Sequence, residues 1–253
     1  MKKARKYMNF FNRRKINLDI SATCTLECPG CERKYYHGKV PGENLSLNNF
    51  KKLLNHFDSF EFCGQVSDPI FNPNLPLFLK LLYDNKKYTK VNVAASHKKV
   101  EWFIETFKQN VDATWTFGID GLPEDSHKYR KNQDGKKLFD IMCIANDIVK
   151  KVNWQFIIFK YNEHQIQRAK YLANMVGVNL ELVKSSRFST EDMKEYKPTV
   201  DYIEPKSGRR FLGSTFELDE QIKVKPKCFD NKLVGFSSKG FVLPCCWCDT
   251  AEV

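Results

Sequence analysis

The sequence predicts an α/β chain built as a partial, TIM-like (β/α)6 barrel with a short Cys-rich C-terminal extension. Apolar runs of β type alternate with stretches of helical spacing from residue 16 to residue 184, the pattern of parallel βα units rather than hairpins. The 253 residues suffice for one domain with a proper core and exceed what a disulfide-stapled fold would use. Cysteines gather directly after the first apolar run and again near the end of the chain.

The predicted strands are Ile16 to Ile20, Phe60 to Cys63, Val91 to Ala94, Thr114 to Ile119, Trp154 to Phe159 and Leu180 to Val183. Between them, Leu47, Phe50, Leu53, Leu54 and Phe57 repeat at helical spacing behind a capping Ser46. Helices follow at Leu75 to Tyr83, seeded by Pro76, and at Lys99 to Phe107. Leu138, Ile141, Met142, Ala145, Ile148 and Val149 form the next apolar stripe. Ile166, Ala169, Leu172, Ala173 and Val176 form another, which Gly177 ends in a left-handed cap. The expected organisation is a basic arm over 1–15, the barrel over 16–186, a connecting segment over 187–227 with a helix near Thr190 to Lys197, and a Cys-bearing segment over 228–253.

Forty-one basic against 30 acidic side chains give a formal charge of +11, and Met1 to Lys15 carries seven Lys or Arg without an Asp or Glu. A basic arm invites nucleic acid, but a solvated Lys-rich surface is the favoured reading, since net charge speaks to solubility and non-specific binding. Nine cysteines in metal-like spacings, with no signal peptide before them, fit a reducing, cytoplasmic setting. No run of about 18 apolar residues is present, so no membrane span is expected.

Cys24, Cys28 and Cys31 form a C-x3-C-x2-C triad just beyond the first strand. Three thiolates on one loop can hold three irons of a [4Fe-4S] cube and leave the fourth open to a ligand. Zinc is the alternative occupant and would normally require four closed ligands. Strand two runs into Cys63-Gly64-Gln65-Val66-Ser67-Asp68-Pro69, where small residues would permit close backbone approach to a ligand. Ala95-Ser96-His97 follows strand three, Gly118-Ile119-Asp120-Gly121 ends strand four before Tyr129-Arg130, and Asn162-Glu163-His164 follows strand five. Asn162 also stands where an N-cap belongs. Cys228, Gly240 and Pro244-Cys245-Cys246-Trp247-Cys248 form the second cysteine group, with a hairpin from Leu233 to Leu243 bringing Cys228 and Cys245 together. Cys63 and Cys143 read as structural, Cys143 as a small hydrophobe on an apolar helix face. The loop Glu32 to Asn44 serves either as part of the rim or as plain packing.

With Cys24-Thr25-Leu26-Glu27-Cys28-Pro29-Gly30-Cys31 placed after strand one, the chain resembles the radical S-adenosylmethionine (SAM) superfamily from Ile16 onward. That resemblance implies a [4Fe-4S] cluster on Cys24, Cys28 and Cys31 and reductive cleavage of SAM to a 5′-deoxyadenosyl radical that abstracts hydrogen. It implies SAM-binding roles for Gly64, Gln65, Ser67, Asp68, Ser96, Asp120, Arg130 and Asn162. Asp68 would take the place of an acidic residue facing the SAM ammonium, Asp120 would lie near the ribose, and Arg130 would face the SAM carboxylate. Two departures stand out: Gly30 replaces a frequent aromatic before the third cysteine, and Gly118 replaces a serine. The second cysteine group resembles the opening of the SPASM or Twitch extension. That implies an auxiliary iron-sulfur cluster on Cys228, Cys245 and Cys248, with Cys246 as fourth ligand or packed thiol, and a zinc knuckle as the alternative. The sequence stops five residues after Cys248, so the extension is a Twitch-like short form or the chain is a fragment. By the same resemblance, the partners are a peptide or protein substrate and a reductant such as a flavodoxin or ferredoxin. A nucleic-acid-modifying radical SAM enzyme and a non-catalytic zinc-binding interaction protein remain the alternatives.

Overall fold

The computed structural model describes residues 14–36, 40–185, 187–188, 190–200 and 233–243. Eight strands form one sheet: β1 (Lys15–Leu18), β2 (Ser59–Phe62), β3 (Tyr88–Val93), β4 (Thr114–Gly118), β5 (Lys151–Ile158), β6 (Asn179–Lys184), β7 (Leu233–Phe236) and β8 (Val242–Leu243). Their order is β6-β5-β4-β3-β2-β1-β7-β8. Every pair is parallel except β7 with β8. Among the described residues β6 and β8 are the edges, so the sheet stays open as a partial barrel.

The helices are α1 (Leu47–Leu54), α2 (Leu75–Asp84), α3 (Val100–Lys108), α4 (Gly135–Ile148), α5 (Ile166–Val176) and the short α6 (Glu191–Lys194). All six predicted strands occur, with ends displaced by a few residues. Ser46 caps α1 by accepting the Asn49 N–H at 3.2 Å. Gly177 ends α5 at φ 72°, a left-handed conformation that costs glycine little. Cys143 lies off the buried stripe of α4, half-buried between Asp140 and Asp147, so the expected apolar setting is not found. Among the described residues no helix is long and apolar enough to cross a membrane.

Period-two alternation gives the sheet two unlike faces. Phe60, Phe62, Val91, Val93, Trp115, Phe117, Trp154 and Phe156 face the helices and are buried. Phe50 of α1 stacks on Phe78 of α2 at 4.1 Å, Phe107 of α3 meets Trp115 edge-on, and Phe139 of α4 meets Trp154 likewise. Each such side chain contributes about 1.5–3 kcal/mol through removal from water. The opposite, concave face is polar. Asn17, Glu61, Asn92, Thr116, Asn153 and Gln155 point inward at alternate positions. Asn92 donates to Glu61 at 3.0 Å, Asn153 to Thr116 at 3.3 Å and Asn179 to Asn153 at 3.1 Å.

The hairpin expected between Leu233 and Leu243 is present, but β7 also pairs in parallel with β1, from Lys15 with Leu233 to Leu18 with Phe236. This part of the predicted extension therefore continues the barrel sheet. Gly42 binds the hairpin turn to the loop after the cysteine triad: at φ 114°, a Cβ there would lie 2.1 Å from the Ser238 carbonyl oxygen. Phe78→Ala should lower stability by roughly 3–5 kcal/mol by opening a cavity between α1 and α2. Urea unfolding followed by circular dichroism measures this, and a loss below about 1 kcal/mol would show that the Phe50 stack is not central to the core.

Candidate active site

The C-terminal ends of β1 to β5 carry the predicted site residues on one rim. Beyond β1 the chain passes through buried Asp19, Ile20 and Ser21 before reaching Cys24. The cysteine loop turns tightly, with the Cys31 N–H donating to the Cys28 carbonyl at 3.0 Å. Arg33 fastens it to the rim by donating to the carbonyls of Ala22 at 3.2 Å and Val66 at 3.0 Å. Glu27 N–H reaches the Lys131 carbonyl at 3.2 Å, and Asn132 donates to the Thr25 carbonyl at 3.3 Å. Cys24, Cys28 and Cys31 together line a cleft of about 620 Å³, bordered by Arg33, Lys131 and Tyr196. Among the described residues no three His, Cys, Asp or Glu side chains are already gathered around a single-ion position. Burial, then Asp68, pushes the Cys24 thiol up to about 12. Burial, opposed by Arg130, pushes Cys28 to about 11. Metal loading here must therefore displace protons from the thiols.

Two buried carboxylates organise the loops beside the triad. Asp19 accepts the Gln65 N–H at 3.1 Å and the Val66 N–H at 3.4 Å, and the Ser67 hydroxyl donates to it. Gly64 is held so closely that a Cβ would lie 1.9 Å from the Ser67 carbonyl oxygen. Asp68 accepts from Ala94 N–H at 2.8 Å, Ala95 N–H at 2.9 Å and Ile70 N–H at 3.2 Å. Its carboxylate thus joins the loop after β2 to the end of β3. Burial raises its pKa against the pull of those donors. Ser96 accepts the Asp134 N–H at 2.8 Å and so ties the β3 loop to the start of α4. His97 lies exposed and stacks on Phe71 at 4.0 Å.

At the end of β4, Asp120 is fully buried and accepts the Ile157 N–H at 2.7 Å. Arg130 Nε approaches Asp120 Oδ2 at 2.8 Å. The N–H is poorly aligned, so both atoms are buried without a hydrogen-bond partner. Burial raises the Asp120 carboxyl pKa, with Arg130 pulling it back. Burial also pulls the guanidinium down, but Asp120 and Cys28 outweigh it and hold Arg130 charged. Asn162 does not cap the following helical turn with its side chain, contrary to the sequence expectation. Instead it accepts the Phe159 N–H at 2.7 Å and donates to the Ile157 carbonyl at 3.0 Å, stitching the end of β5. Cys228, Cys245, Cys246 and Cys248 lie outside the described residues.

Several contributors carry no motif. Arg187 donates to the Gly30 carbonyl at 2.7 Å, and Lys34 pairs with Asp192 of α6 at 2.5 Å, so the chain after β6 folds back over the cysteine loop. Met193 of α6 is fully buried with Tyr129 and Phe159. A Cβ on Gly30 would lie 2.8 Å from Met193 Sδ and 2.9 Å from the Tyr129 hydroxyl. Met193 and Tyr129 thus fill the space that a side chain before the third cysteine would need. Asp19 was visible in the sequence as a lone charge within an apolar run, whereas Met193 and Arg187 carried no such signal.

The donor set fits an iron-sulfur cluster: three thiols of one loop open onto one cleft. No family model and no curated protein matches the sequence. Among solved structures, Streptococcus suis SuiB bound to precursor peptide SuiA is similar at a TM-score of 0.65 and 13% identity, covering 96% of this chain and 62% of that one. SuiB bound to S-adenosylmethionine gives 0.63 and 13%, covering 96% and 64%. Coproporphyrinogen III oxidase (HemN) from Escherichia coli, a radical SAM enzyme, gives 0.53 and 12%, covering 76% and 50%. The chain spans less than two thirds of the SuiB chain. The open parallel barrel, the triad at its rim and these likenesses together show that this chain has the fold of the radical SAM enzymes.

Proposed function

We propose that the protein is a radical SAM enzyme whose cluster is held by Cys24, Cys28 and Cys31. The observation that carries this is the placement of the three thiols on one loop, all lining one cleft at the C-terminal ends of parallel strands. When bound, the [4Fe-4S] cluster and SAM supply one-electron cleavage of the sulfonium to a 5′-deoxyadenosyl radical that abstracts hydrogen from a substrate. The protein's own part is to bind, aim and exclude water. Gly64 permits close backbone approach, Asp19 fixes Gln65, Val66 and Ser67, and Asp68 keeps the loop against β3. Ser96 and Asn162 hold their loops in place, and Asp120 with Arg130 forms the buried charged pair at the end of β4.

A peptide or protein substrate is the reading we favour. SuiB, the neighbour similar over nearly all of this chain, binds a precursor peptide. The concave face suits such a chain chemically, because carboxamides match the donors and acceptors of a peptide backbone. Asn17 and Gln155 on that face make no side-chain hydrogen bond among the described residues. An auxiliary cluster on Cys228, Cys245, Cys246 and Cys248, reduction by a flavodoxin or ferredoxin, and action in the cytoplasm complete the proposal.

Anaerobic reconstitution with iron and sulfide, then reduction with SAM and assay for 5′-deoxyadenosine, tests the reading. Cys24→Ala should abolish the product, whereas Cys246→Ala should reduce it less. Release of 5′-deoxyadenosine by the variant lacking all three triad cysteines, or a stoichiometric zinc ion in anaerobically purified protein, would overturn the assignment. Asp68→Asn should cost roughly 1–3 kcal/mol in urea unfolding of the metal-free chain, because one oxygen that accepts N–H groups becomes a donor facing them. An unchanged midpoint would remove Asp68 from its loop-holding role.

A further inference from the structure

Arg130 sits where Gly118 leaves room for it. A Cβ at position 118 would lie 2.8 Å from Arg130 Nη2 and 3.1 Å from its Cζ, so the guanidinium lies across the end of β4 only because no side chain is there. On one side Nε faces Asp120 Oδ2 at 2.8 Å, and Asp120 is itself fastened to β5 through the Ile157 N–H. On the other side lies Cys28, whose thiol feels the guanidinium charge as the strongest pull against burial. The preceding residue, Tyr129, packs in the same cluster as Cys28. Cation and carboxylate are therefore fixed together beside the cysteine loop by the strand contact of Asp120 and the packing of Tyr129.

Resting on the cluster reading above, we infer that Arg130 is a positioning residue for the Cys28 ligand, whose charge, partly offset by Asp120, sets the reduction potential of the cluster. Net charge and hydrogen bonds to ligand sulfurs are the protein's levers on such potentials. A cation near the cluster favours the reduced state, which carries one more negative charge, and weak dielectric screening in a buried site magnifies the effect. Asp120 opposes that field. Removing the cation and removing the anion must then move the potential in opposite directions. A role limited to gripping SAM predicts neither movement while SAM is absent.

The test is an anaerobic redox titration followed by electron paramagnetic resonance, made without SAM, on the cluster whose signal changes when SAM is later added. Arg130→Met should shift its midpoint to more negative values by about 59 mV or more, the one-electron equivalent of a tenfold fall in the reduced-to-oxidised ratio. Gly118→Ala should shift it the same way, because the added methyl displaces the guanidinium without removing it. Asp120→Asn, nearly isosteric and still able to accept from Ile157, should shift it to more positive values. Arg130→Lys should restore part of the Met variant's loss. Iron and sulfide content is measured on every variant, so that a shift is read only on a loaded site. Loaded variants with the wild-type midpoint, or Arg130→Met and Asp120→Asn moving together, overturn this inference alone. A wild-type chain that takes up no cluster overturns it together with the proposed function.

Discussion

Backbone N–H groups at the C-terminal ends of parallel strands have no ladder partner beyond the sheet, and satisfying them is the constraint on which this rim depends. The chain meets it with buried side chains: Asp68 takes three such donors, Asp19 takes two and a hydroxyl, and Asn162 takes one while giving one. Bonds to a charged acceptor are worth about 1.5–3 kcal/mol each, more than neutral ones. Asp19 and Asp68 thereby lock the loops after β1, β2 and β3 against one another, and in Asp68 these bonds offset part of the cost of burial. Gln133 adds a further tie by donating to the carbonyls of Ala94 and Gly118 at 2.6 and 2.9 Å. The cleft inherits its shape from these contacts, because the cysteine loop hangs from the same scaffold through Arg33 and Asn132.

Two glycines that depart from the radical SAM pattern the sequence resembles share one explanation. At Gly30 the missing side chain is replaced in space by Met193 and Tyr129, and at Gly118 by the Arg130 guanidinium. Dense interiors tolerate no void of that size, so a side chain lost at one position is met by one from elsewhere. The consequence differs between the two. Met193 brings α6 down beside the triad, where Lys34 with Asp192 and Arg187 with Gly30 hold it. Arg130 brings a permanent positive charge into the same neighbourhood.

The polar concave face divides the sheet into a packing side and a functional side. Aromatic residues at alternate positions satisfy the helices, while Asn17, Glu61, Asn92 and Gln155 keep the interior wettable. A barrel sealed by Val, Ile and Leu would be a solid core with no room for a ligand. Here the open edge between β6 and β8 and the amide-lined interior lead to the rim where the triad lies.

The strands, the helices and the rim position of the triad were legible in the sequence, because alternation, helical spacing and capping are local properties that survive in any tertiary setting. Ser46 and Gly177 act where local chemistry places them, and the open barrel follows from repeated βα units. What the side chains do at the rim was decided only by tertiary structure. Asn162 sits at a capping position yet bonds backward, since the buried end of β5 has groups more costly to leave unpaired. The pairing of β7 with β1, the Met193 filling and the bond from Arg187 to the Gly30 carbonyl each join residues distant along the chain. Proximity of that kind is set by packing, which no local pattern of residues encodes.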